Sequence, residues 1–182
     1  MPAKGWCLFG TPIGECAIAW SDASIVGVLL PDDDPVRTGP LMQRRFPDAR
    51  PDDHPPPWVA DVITRTRRVL EGGSSDALAD VPLDMRGVPD FNQRVYEIAR
   101  AIPPGQTLSY GEVAARIGDP GAARAVGQAL GHNPFAPIVP CHRVLAAGKR
   151  SGGFSAGGGV ATKLKMLEIE KAQLGDGPGL FD

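Results

Sequence analysis

The sequence is short of the residues that usually announce a metal site or a covalent scaffold. Only three cysteines and three histidines occur among 182 residues. Cys7, Cys16, His54, His132, Cys141 and His142 are the possible metal ligands. No CxxC or HxxxH pair occurs among them, so the spacing of a metal site is missing and none is expected. An odd, small cysteine count argues against a disulfide framework and for free thiols in a reducing compartment, so a cytoplasmic protein is expected. There is no apolar run of about 18 residues, hence no expected transmembrane helix. The opening MPAKGWCLFG lacks the long apolar core and small-residue cleavage site of a secretory signal. No glycine-rich phosphate loop of the nucleotide-binding kinds occurs either, and no cofactor is expected. Aromatic residues make up just 6%, while 42% apolar and 22% charged residues are ordinary for a soluble globular chain.

A net charge of -2 hides an asymmetry: residues 1–90 carry -5, residues 91–170 carry +4 and the last twelve carry -1. A basic second half beside an acidic first half fits a partner rich in phosphate, nucleic acid above all. A surplus of this size also occurs in proteins without such a partner.

The first 30 residues predict three strands, Trp6 to Gly10, Glu15 to Trp20 and Ile25 to Leu30. Turn chemistry at Thr11-Pro12-Ile13-Gly14 and Ser21-Asp22-Ala23-Ser24 joins them into an antiparallel meander. Residues 31–57, with three consecutive aspartates and three consecutive prolines, predict surface loop with a short helix near Leu41 to Phe46. Trp58, Val62, Thr66, Val69 and Leu70 recur at helical spacing up to Gly72-Gly73. Residues 77–85 predict a further strand, and Arg86-Gly87-Val88-Pro89 a domain boundary.

Beyond that boundary the pattern turns helical. Asp90 is the expected cap of a helix with Phe91, Val95, Ile98, Ala99 and Ile102 on its apolar face, stopped at Pro103-Pro104-Gly105. Ser109-Tyr110-Gly111-Glu112 is a capping box for a second helix that ends at Gly118. Asp119-Pro120 then offers a cap and a first-turn proline for a third, Ala122 to Leu130. Two short helices around a tight turn have the pattern of a helix-turn-helix. The second of them is built of small side chains with one arginine, Arg124. Its alanines suit close approach to a narrow minor groove, and equally suit packing against the preceding helix. A last helix is expected from Val160 to Gln173, with Val160, Leu164 and Leu167 on one face. The glycine-rich stretch 152–159 before it reads as the wall of a pocket.

Pro140-Cys141-His142-Arg143-Val144 is the densest chemical cluster. Cationic neighbours can lower a cysteine pKa from about 8.5 toward neutrality, and the thiolate is the nucleophile. A thiol merely buried in the Ile138-Val139-Pro140 stretch is the competing reading. If the segment is extended, Cys141 and His142 point to opposite faces, and the histidine would act through a water or its charge.

In the stretches Ile102-Pro103-Pro104-Gly105, Ser109-Tyr110-Gly111-Glu112, Ala123-Arg124-Ala125-Val126-Gly127, Asn133-Pro134 and Ile138 to Val144, the second half resembles the O6-alkylguanine-DNA alkyltransferases. The motifs stand in the family's order and spacing. The resemblance implies an α+β protein. A small N-terminal α/β domain with an antiparallel, ribonuclease H-like sheet would span 1–88. A mostly helical, winged-helix-like domain with the helix-turn-helix would span 89–175, and a tail 176–182. It implies irreversible transfer of an alkyl group from O6-alkylguanine, with O4-alkylthymine as a second substrate, to the chain's own Cys141. It further implies minor-groove binding of double-stranded DNA and flipping of the damaged nucleotide. Cys141 would be the acceptor, His142 the base acting through a water, Glu170 the carboxylate orienting it, and Asn133 a hinge. Tyr110, Arg124, Ser155 and Val144 would contact the substrate, and Ala122, Ala123, Ala125 and Gly127 the DNA. The protein would work once, as a monomer, without cofactor, metal or membrane. Alternatives are a non-catalytic protein that binds alkylated lesions, which in a related group lacks the cysteine, and a cysteine hydrolase, whose oxyanion hole has no signature here. A fused regulatory domain has no room in this length.

Overall fold

The computed structural model describes residues 2–72, 78–146 and 159–172. They form two compact units, one made of 2–72, 78–84 and 134–138, the other of 85–133, 139–146 and 159–172.

In the first unit the strands β1 (Gly5–Thr11), β2 (Gly14–Trp20) and β3 (Ile25–Leu29) form the expected antiparallel meander. Its turns are held by hydroxyls. Thr11 Oγ1 donates to the Gly14 carbonyl at 2.6 Å, and Ser21 Oγ accepts from the amides of Ala23 and Ser24 at 3.3 and 3.2 Å. Strand alternation puts Trp6, Ala17 and Ala19 on one face, where they meet Met42 and Ala49. Cys7, Phe9, Cys16 and Ile18 lie on the other face and are buried as well. A sheet covered on both faces explains why β2 reads as a continuous apolar run rather than an alternation.

Two expectations for this unit fail. The stretch read as loop adds a fourth strand, β4 (Arg50–Pro51), parallel to β1, giving the order β3-β2-β1-β4. The helix within it, α1 (Thr38–Arg45), starts earlier than expected, after a 3-10 turn capped by Asp34. Residues 78–85 form no strand, only an isolated bridge between Ile25 and Leu83; Pro82 has no amide to donate to a ladder. Helix α2 (Pro57–Leu70) follows its sequence pattern, burying Val59, Val62, Ile63, Thr66, Val69 and Leu70.

The second unit contains α3 (Asp90–Arg100), β5 (Leu108–Ser109), α4 (Tyr110–Ile117), α5 (Ala123–Gly131), β6 (Val144–Leu145) and α6 (Gly159–Ile169). Asp90 is not the cap of α3. Pro89 occupies that position and Asp90 sits in the first turn, where its charge complements the helix dipole. Ser109 does cap α4, its hydroxyl accepting from the Glu112 amide at 3.0 Å. Gly118 closes the helix in the left-handed conformation, at φ 93°, which a side chain would strain. Asp119 makes no side-chain cap. Pro120–Ala122 form a 3-10 turn, so Ala122 precedes α5 instead of opening it. The protein is thus a mixed α/β chain with a small, largely antiparallel sheet and a helical second unit. Among the described residues no helix is long and apolar enough to cross a membrane.

Candidate active site

The site is assembled by a short parallel pairing in the second unit. Strand β5 pairs with β6 in the register Leu108 to Val144 and Ser109 to Leu145. The residue after β5 is Tyr110, the first of α4, and the residues before β6 are Cys141–Arg143. The pairing therefore brings the start of the helix-turn-helix alongside the cysteine segment.

That segment is not extended. Cys141–Arg143 form one 3-10 turn, closed by the Arg143 amide on the Pro140 carbonyl at 2.9 Å. The expectation that Cys141 and His142 point to opposite faces of a strand is replaced by three side chains fanning from a tight turn. All three are buried, with Cys141 6%, His142 1% and Arg143 5% exposed.

Glu170, just past α6, gathers two of them. His142 Nε2 lies 2.8 Å from Glu170 Oε1. Arg143 donates from Nη2 to Oε1 at 2.7 Å and from Nε to Oε2 at 3.0 Å, and its Nη1 donates to the Ile102 carbonyl at 2.7 Å. Burial pushes the Glu170 carboxyl up, but His142 and the Arg143 guanidinium outweigh it and hold it at about 2. Burial lowers the His142 pKa despite Glu170, so the imidazole is neutral near pH 7. Its Nδ1 is buried and has no protein partner. A neutral ring oriented at one nitrogen by a carboxylate and open at the other is a proton acceptor.

The cysteine itself departs from expectation. Cationic neighbours were to lower its pKa; burial raises it instead, and the Asn133 side chain, hydrogen-bonded to the sulfur, and Lys163 oppose that rise. Arg143, the nearest cation in the chain, is committed to Glu170. Asn133 also donates from Nδ2 to the Val139 carbonyl at 2.8 Å, tying the end of α5 to the cysteine segment.

Tyr110 lies with its ring against α5. A Cβ built on Gly127 would stand 3.4 Å from the ring, so the glycine lets helix and tyrosine approach. Arg124 is exposed on α5, while Ala122, Ala123, Ala125 and Gly127 are half-buried. Val126, Ala129 and Leu130 form the inward face, so the packing reading holds for that side, and the other small residues lie on the half-exposed side. Val144 is buried, and its carbonyl accepts from Lys163 Nζ at 3.1 Å. Ser155 and the glycine-rich wall lie outside the described residues.

Two residues escaped the sequence reading. Tyr96 is buried on α3, its hydroxyl donating to the Ala129 carbonyl at 2.7 Å. Lys163 is 1% exposed. The buried residues of α6 are Lys163, Met166 and the expected Leu167, whereas Leu164 is half-buried and the side chain of Val160 lies outside the described ones. The available signal was a lysine three and four residues before two apolar ones. Among the described residues, no group of three or more His, Cys, Asp or Glu side chains is arranged to hold a metal ion.

Comparison with known proteins shows what the chain is similar to. The family described as 6-O-methylguanine DNA methyltransferase, DNA binding domain, matches residues 90–172. The chain is 54% identical over 103 residues to the methylated-DNA–protein-cysteine methyltransferase of Mycobacterium tuberculosis, covering 57% of this chain and 61% of that one. To the protein of that name from Methanothermobacter thermautotrophicus it is 31% identical over 163 residues, 90% of this chain and 83% of the relative. The crystal structure of Mycobacterium tuberculosis OGT in complex with DNA superposes with a TM-score of 0.73 at 38% identity, covering 92% of both chains. The match to the mycobacterial curated relatives spans about three fifths of their length, 61% for Mycobacterium tuberculosis.

Proposed function

The chain belongs to the methylated-DNA–protein-cysteine methyltransferase family, and from that premise we propose that it repairs DNA by taking the alkyl group of O6-alkylguanine onto its own Cys141. O4-alkylthymine is the second substrate of this reading. The observation that carries it is the buried turn in which a neutral His142, oriented by Glu170 at 2.8 Å, stands next to Cys141 with its other nitrogen unpartnered.

The reaction needs little else. The thiol proton passes to His142 Nδ1 through a water, and the sulfur attacks the alkyl carbon in line. The sulfur–carbon bond forms as the carbon–O6 bond breaks, and the electron pair leaves with guanine, which takes a proton. Guanine is a poor leaving group unless the charge on it is stabilised, and donors aimed at developing charge do this. Tyr110 suits the ring nitrogen and Ser155 the oxygen, while the Val144 carbonyl suits an exocyclic amine. The thioether is stable, so each molecule acts once, without cofactor or metal.

DNA enters in the same reading. The small residues Ala122, Ala123, Ala125 and Gly127 let α5 approach a minor groove, and exposed Arg124 fills the gap left by a flipped nucleotide. Extrusion costs a few kcal/mol, less for a poorly paired lesion. Asn133 holds the hinge between α5 and the cysteine segment. The fold reads as a ribonuclease H-like domain over 1–88, a winged-helix-like domain over 89–175 and a tail over 176–182, and the protein as a cytoplasmic monomer. A duplex labelled on the alkyl carbon of one O6-methylguanine tests the reading. Label should move to the protein up to one equivalent and stop, and a Cys141→Ala variant should take none. Lesion-selective binding with no transfer would make the chain a lesion-binding protein instead.

A further inference from the structure

Lysines are almost never fully buried unless paired, and Lys163 is 1% exposed. It stands on α6, and its Nζ donates to the carbonyl of Val144 at 3.1 Å. Val144 follows the turn Cys141–Arg143 directly, so the ammonium is anchored one turn of backbone from the sulfur. Burial drives the Lys163 pKa down to about 8, and Cys141 draws it back up. In return Lys163 draws the Cys141 pKa down against its own burial.

Among the described residues, the other titratable and charged groups around the sulfur do not supply this charge. Tyr96 on α3 is pushed up to about 12 by burial, and Tyr110 on α4 is raised by burial too, so both stay neutral phenols near pH 7. His142 is a neutral ring. The charges of Arg143 and Glu170 face one another. Asn133 contributes a hydrogen bond and no charge.

Resting on the reading of Cys141 as the alkyl acceptor, we propose that Lys163 is a positioning residue for the transfer: anchored on the Val144 carbonyl, its buried ammonium holds the Cys141 sulfur as the thiolate that attacks the alkyl carbon. His142 takes the thiol proton and Lys163 stabilises the anion left behind. The coupling runs both ways. Alkylation turns the sulfur into a neutral thioether and takes away the anion that favoured the charged lysine. The Lys163 pKa therefore falls when the protein has reacted.

The test compares the full chain with Lys163→Met, which keeps the length of the side chain and removes its charge. Thiolate formation is followed by ultraviolet absorbance without DNA, with the Cys141→Ser protein subtracted. Single-turnover transfer is followed on an O6-methylguanine duplex. The Cys141 titration should move up by about one pH unit or more, with transfer about tenfold slower at neutral pH and recovering as the pH rises. Lys163→Arg should restore much of the rate. An unmoved titration, with transfer slowed equally at every pH, would overturn the proposal and leave Lys163 a packing residue. A second readout needs no change at Lys163, so a variant that fails to fold does not end the matter. In carbon-13 spectra of labelled lysine, Lys163 should titrate lower in Cys141→Ser than in the unaltered chain, and equal titrations would overturn the proposal. If the unaltered chain transfers nothing while the thiolate titration still follows Lys163, the alkyl-acceptor reading fails and the lysine–thiolate coupling stands.

Discussion

Glu170 meets His142 and Arg143 through two buried oxygens, so its charge holds both side chains in register. Removing one partner of a buried ion pair costs about 3–5 kcal/mol, because the other charge is left buried. Glu170→Gln should therefore lower the urea midpoint by a corresponding amount and slow alkyl transfer; an unchanged midpoint would mean that Arg143 has another anchor. The pH dependence follows from the same groups. His142 and Glu170 both have folded pKa values below their ordinary 6.5 and 4.5, Glu170 at about 2. The unfolded chain therefore binds more protons, and their contribution to stability is whole above about pH 6.5 and lost on acidification. The histidine part goes first and the carboxyl part as the pH falls from about 4.5 through 2. Denaturant unfolding at a series of pH values should show this decline, and Glu170→Gln should flatten the carboxyl part of it. Cys7 and Cys16, raised by burial to about 11 and 12, lie in the sheet of the first unit. Cys16→Ala should cost about 1 kcal/mol in unfolding and leave transfer unaffected. At this scale Cys141, His142 and Asn133 were legible because their motifs are local in the chain. The commitment of Arg143 to Glu170 and the burial of Lys163 were not, since both depend on how α6 meets the cysteine turn.

Among the elements, α4 bears directly on the chemistry, because Tyr110 is its first residue and Ser109 its cap. Ser109→Ala removes the hydroxyl that accepts from the Glu112 amide and should cost about 1 kcal/mol. Thermal unfolding would read that loss. Transfer should slow too, as the helix start that seats Tyr110 frays. Transfer at the full rate would separate Tyr110 from the cap. The cap at Ser109 was readable from the sequence, whereas Asp90 was misread as a cap, and Asp119 holds the cap position before Pro120 but opens a 3-10 turn and makes no side-chain bond. In both cases a proline beside the aspartate, Pro89 before one and Pro120 after the other, sets the backbone of the helix start. Proline fixes φ and can begin a helix without a side-chain cap. The strands β1 to β3 were legible from apolar runs between hydroxyl-rich turns. β4 was hidden because two residues beside a run of aspartates carry no period, and its pairing with β1 is a long-range event.

For the whole molecule the uneven charge is the most telling quantity. Residues 91–170 carry +4 within a chain of net -2, and the helices α4 and α5 belong to that stretch. If phosphate contacts dominate binding, the logarithm of the affinity falls linearly with that of salt, with a slope near -0.9 for each phosphate neutralised. Titrating the Cys141→Ala protein onto a lesion duplex at several salt concentrations should show such a slope. Arg124→Ala should reduce the preference for lesion over undamaged duplex, the gap left by the flipped nucleotide then going unfilled. The central claim, that this chain is itself the acceptor, is tested most directly by intact mass after mixing with a duplex bearing one O6-methylguanine, followed by peptide mapping. The account predicts one methyl group in place of one proton on each molecule, on Cys141 and nowhere else, with no further change on added substrate. A protein of unchanged mass, or a methyl group on any other residue, would contradict it.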